Sequence, residues 1–76
     1  MYLTEIASAK GMLHQERLRA LRWYIKQSTD DDLMRQIRGL TNLKHLRILQ
    51  EAGLREPVAT VMLRHYDALV ERRKRR

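Results

Sequence analysis

Cysteine is absent from these 76 residues, which excludes a disulfide framework, a thiolate zinc site and a thiol nucleophile, and leaves stability to packing alone. Proline occurs once, at Pro57, and glycine three times, at Gly11, Gly39 and Gly53, so little in the chain interrupts a helix. No apolar run approaches the roughly 20 residues that span a bilayer. The start, Met1-Tyr2-Leu3-Thr4-Glu5, lacks the basic-then-apolar layout of a secretory signal. There is no Gly-rich phosphate loop and no serine in a nucleophile-elbow context. These absences predict a non-enzymatic protein without a cofactor, acting in the cytoplasm, nucleoid or nucleus. A chain this short has a marginal core, and association often completes the burial. A homodimer through the first or the last helix is therefore expected.

What is present is positive charge. The formal net charge is +7, and Arg72, Arg73, Lys74, Arg75 and Arg76 contribute five of those units. Five like charges in a row repel one another and cannot enter a core, so the sequence predicts a disordered, solvated tail over 72–76 behind a single helical domain over 1–71. A predicted pI near 10.6 favours anionic partners such as nucleic acid. Arginine outnumbers lysine twelve to four, and guanidinium suits bidentate phosphate contacts.

The rest reads as an all-α protein, a compact bundle of about four helices with a long first one. Thr4 would cap a helix running to about Gln27, with Leu3, Ile6, Leu13, Leu18, Ala20, Leu21, Tyr24 and Ile25 on its broad apolar face. Such a helix measures roughly 36 Å, whereas a globule of this length has a radius of gyration of about 11 Å. It must kink at Gly11 or project toward a partner. Ser28 or Thr29 would cap a second helix over about 30–38, and Asp30, Asp31 and Asp32 put negative charge at its exposed amides. Gly39 is expected to end that helix in a left-handed conformation. Thr41 would cap a third helix, closed by Gly53, and Pro57 would open a fourth at its first helical position, with Val58, Val61, Met62, His65 and Leu69 on its stripe.

Few residues form a chemical constellation. His14, His45 and His65 fall on three different helices without metal-binding spacing, and His65 reads as a core-edge histidine satisfied by a hydrogen bond. The acids are spaced as surface pairs, Glu16 with Arg19 and Glu51 with Arg55. Arg19, Arg22 and Lys26 share one helical face, with Trp23 and Tyr24 beside them expected to close the core. In residues 29–54 two short helices meet at a tight turn, and the second carries Asn42, Lys44, His45, Arg47 and Gln50 at its polar positions. That is the outline of a helix-turn-helix reader of the major groove.

The stretch from Leu43 to Leu54 resembles the recognition-helix end of winged-helix repressors, which implies a β-hairpin wing beyond Leu54, although proline and helical periodicity follow there instead. Residues Leu40 to Leu49 also resemble one leucine-rich repeat, without the second copy such an array needs. The overlapping resemblances assign no family.

The sequence thus predicts a small basic nucleic-acid-binding protein, for DNA or RNA. It would make mainly phosphate contacts, through Arg72, Arg73, Lys74, Arg75 and Arg76 and the basic face of Arg19, Arg22 and Lys26, with sequence reading by Asn42, Lys44, His45 and Arg47 as an addition. The competing expectation is a helical interaction module whose basic tail docks an acidic protein. Its apolar groove would draw on Leu43, Leu46, Leu49, Val61, Met62 and Leu69. A third places the tail on anionic membrane or makes it a nuclear-localisation address.

Overall fold

The computed structural model describes residues 2–75. Among them it contains five helices and no strand, α1 (Leu3–Ser8), α2 (His14–Gln27), α3 (Asp30–Gly39), α4 (Leu43–Ala52) and α5 (Val58–Lys74). The all-helical class follows from apolar residues recurring every three or four positions. No helix among these residues is long and apolar enough to cross a membrane.

The long first helix does not form. Residues 9–13 divide it into α1 and α2, and Gly11 there adopts a φ of +76°, a left-handed conformation that a residue without Cβ reaches at little cost. The fold-back is then fixed by Arg17, whose guanidinium donates to the carbonyls of Ala7 and Ala9 at the end of α1. Folding back lays α1 against α2 and α4 and buries Leu3 and Ile6. A straight helix would have left both side chains short of neighbours. Leu13, expected on the buried face, instead precedes α2 as its N-cap and is 69% exposed.

The helix starts show which capping signals hold. Tyr2, not Thr4, is the N-cap of α1, and no side chain caps it. The free Leu3 amide donates instead to Gln36 Oε1 on α3, at 2.8 Å. For α3 the reading holds: Thr29 Oγ1 accepts from the Asp32 amide at 3.2 Å, and the three aspartates occupy the first turn. For α4 the cap is Asn42 and not Thr41. Its Oδ1 accepts from the Lys44 and His45 amides at 2.9 and 3.4 Å, and asparagine ranks above threonine in this position. Pro57 sits at the N-cap of α5, one place before the expected first helical position.

The helix ends share a device. Each of α1 to α4 has a basic side chain from elsewhere in the chain donating to its last carbonyls. Arg17 serves α1. Arg55 serves α2, with Nη1 on the Ile25 carbonyl at 2.8 Å and Nη2 on that of Ser28 at 2.6 Å, while its Nε holds Asp30 at 2.7 Å. Arg22 Nε reaches the Ala52 carbonyl of α4 at 3.0 Å. His65 Nε2 lies 2.6 Å from the Leu40 carbonyl just after α3, so its hydrogen-bonded role is as expected. Such donors at helix C-termini satisfy orphan carbonyls, and the three arginines also oppose the negative end of the dipole. Gly39 is not the left-handed terminator expected of it. Gly39 is the last helical residue with no positive φ, and Leu40 follows as C-cap. Gly53, at φ +98°, does close α4.

The central element is α4, which packs on α1, α2 and α5, while α3 lies on α5. Leu46 and Leu49 of α4 are fully buried among Leu3, Leu21, Leu33, Ile37, Val58 and Met62. The radius of gyration is 12.2 Å, against about 11 Å for a compact chain of this length.

The basic end is helical, not disordered. α5 runs without a break across residue 71 to Lys74, and the Arg75 amide still donates to the Glu71 carbonyl. Arginine and lysine are good helix formers, cations suit a C-terminal turn, and successive side chains diverge around the axis, which spreads their repulsion. Arg76 lies outside the described residues.

Candidate functional site

The end of α5 returns to the start of α4. Arg73 lines a shallow concavity of about 430 Å³ together with Thr41, Asn42, Leu43 and Lys44. An adjoining hollow is lined by Thr41, Leu69, Arg72 and Arg73. Leu69, buried beneath them, fixes the register of the turn that carries these arginines. Lys44, Arg72, Arg73 and Lys74 are exposed, and no acid pairs with them among the described residues. Two segments nearly thirty positions apart in sequence thus form one cationic surface, which a flexible tail would not have fixed. Lys44 belongs to it because Asn42 caps α4 and sets where its first turn begins.

The remaining sequence-nominated residues divide in two. Arg19 and Lys26 are exposed on the outer side of α2 and have no ion pair among the described residues, whereas Arg22, on the same face, is tied to the Ala52 carbonyl. Asn42 uses its side-chain oxygen as a cap. Arg47 donates from Nε to the Tyr66 hydroxyl at 2.9 Å, and its guanidinium lies 6.0 Å from that ring's centre. Of the four base-reading candidates, Asn42 and Arg47 are thus engaged within the fold, whereas Lys44 is exposed and His45 half-buried. Arg75 follows the last turn of α5, and Arg76 is outside the described residues.

Leu40, Thr41 and Asn42 alone separate α3 from α4, the tight connection expected there, but α3 packs chiefly on α5 and not on α4. Beyond α4, however, α5 stands where the winged-helix resemblance implies a hairpin. Of the residues expected to be shared between core and groove in an interaction module, Leu46, Leu49, Met62 and Leu69 are buried in the core, and Leu43 and Val61 are half-buried.

Trp23 does not close the core and is 64% exposed. Tyr24 does pack on the core, half-buried, and its hydroxyl accepts from Gln36 Nε2 at 2.9 Å. The side-chain pairings of the acids also differ from the expected ones. Glu51 meets His14 at 3.0 Å, and Arg55 meets Asp30. No three histidine or acidic side chains among the described residues could jointly hold a metal ion.

Sequence reasoning missed the roles of Arg17 and Arg55. Both read on the chain as ordinary surface cations. A partial signal existed for Arg55, which stands two residues before the only proline, where a loop must be tied down. Comparison with protein-family models, with curated proteins and with solved structures finds no match.

Proposed function

We propose that this protein binds nucleic acid through phosphate contacts made by the last turn of α5, Arg72, Arg73 and Lys74, together with Lys44 at the start of α4. The observation that carries the reading is the shared concavity of Arg73 and Lys44, in which two cations from distant segments have no acidic partner among the described residues. A phosphate oxygen there would meet guanidinium and ammonium donors at once, and charge-assisted hydrogen bonds of this kind are the strong ones. The excess of +7 over the chain adds long-range attraction to a polyanion. We attribute affinity mainly to phosphates, because two of the four base-reading candidates on α4, Asn42 and Arg47, would first have to leave their intramolecular partners.

The test is a salt series of binding to labelled DNA and RNA by the native chain and by variants with Lys44 and Arg73 changed to glutamine. Removing one cation that neutralises a phosphate should flatten the slope of log affinity against log salt by about 0.9 on duplex and about 0.7 on single strands. Unchanged slope and affinity in the double variant would defeat the proposal.

A further inference from the structure

We infer that the outer face of α2 stacks a base of single-stranded nucleic acid on Trp23, with Arg19 and Lys26 holding the neighbouring phosphates; this rests on the phosphate-binding reading above. Tryptophan is ordinarily well buried, yet this indole is 64% exposed and makes no hydrogen bond among the described residues. Beside it a slot of about 420 Å³ opens between α1 and α2, lined by Ile6, Glu16, Arg19, Ala20 and Trp23. Ile6, Ala20 and the indole supply an apolar lining. Arg19 lies four residues before Trp23 and Lys26 three after it, so the three share a face. The two cations stand about 10 Å apart along the axis and bracket the ring.

Charge decides the occupant. An apolar protein helix laid over the slot would desolvate Arg19 and Lys26 without partners, which is costly. A nucleic-acid strand supplies phosphates to both. A duplex, in turn, keeps its base faces stacked inside, whereas an unpaired base has a face to lay on an aromatic ring. Glu16 is the one acid of the lining, and its carboxylate accepts from a base N–H rather than from a phosphate. This surface is distinct from the α5 site. Arg22 and His14 hold α2 against the far part of α4, at Ala52 and Glu51, about 12 Å of helix from Lys44.

Trp23 is the chain's single tryptophan, so all indole emission reports on this slot. We expect titration with oligothymidylate or oligouridylate to quench that emission, and a duplex of equal length to bind without quenching it. Trp23→Ala should weaken single-strand binding about tenfold or more, Trp23→Phe should restore much of that loss, and duplex affinity should stay unchanged. Far-UV circular dichroism checks that both variants fold. Single-strand binding without quenching, and indifferent to Trp23→Ala, would overturn the stacking inference while leaving the phosphate reading intact. Failure of every nucleic acid to bind at low salt would remove both. Emission that shifts with protein concentration alone, without nucleic acid, would overturn the inference by making the slot a contact between copies of the chain.

Discussion

Arg55 joins three parts of the chain through one side chain. Its guanidinium meets the Ile25 and Ser28 carbonyls and the Asp30 carboxylate, so one side chain ties the end of α2, the start of α3 and the loop after α4. Arg55→Ala should destabilise the protein by about 1–3 kcal/mol, the cost of leaving its carbonyl partners unsatisfied, read as a lower urea midpoint with little change in slope. Arg55→Lys should recover little, because one ammonium on a flexible stem does not reproduce a planar fork with three fixed acceptors. Asn42→Ala should cost about 1 kcal/mol through removal of the α4 cap, again read from the urea midpoint. At this scale the sequence is legible where a motif is local. Thr29 with its three aspartates is such a case. It is illegible where a side chain reaches across the chain, as Arg17, Arg22 and Arg55 do over 8 to 30 positions.

The break between α1 and α2 is legible only as an alternative. An interior glycine weakens a helix by about 1 kcal/mol, which is too little to break one unless a contact rewards the bend. That contact is Arg17 on the carbonyls of Ala7 and Ala9. Gly11→Ala tests the backbone part alone, because an added Cβ meets nothing within 4 Å. The expected loss is about 1–2 kcal/mol for a positive φ, seen in thermal unfolding. Relief by a straightened α1–α2 helix would appear instead as unchanged stability with increased helicity. The basic end departs from expectation for a related reason. A charge run at the end of a chain suggests disorder, whereas here apolar anchors at Val58, Met62 and Leu69 set a helix going. Residues of high helical propensity then continue it.

The whole molecule carries +7 on a body only 35 by 28 by 18 Å. Self-repulsion of that charge opposes folding, and salt screens it. Added salt should therefore raise the melting temperature modestly while weakening nucleic-acid binding, and differential scanning fluorimetry beside the binding series checks the opposite signs. The class and the compactness are legible at this scale, since periodicity without alternation leaves no sheet to build. The centrality of α4 is not, because the pairing of helices depends on which faces meet and a single apolar stripe fits several neighbours.

The reciprocal closing of helix ends has a consequence for the chain cut in two. Residues 1–28 contain α2 but not the Arg55 that closes it, and residues 29–76 contain α4 but not the Arg22 that closes it. Neither half can complete its own central helix, and each carries the missing piece of the other. The two peptides should be largely unstructured alone and regain helicity when mixed at equal amounts, reassembling as a complementing pair.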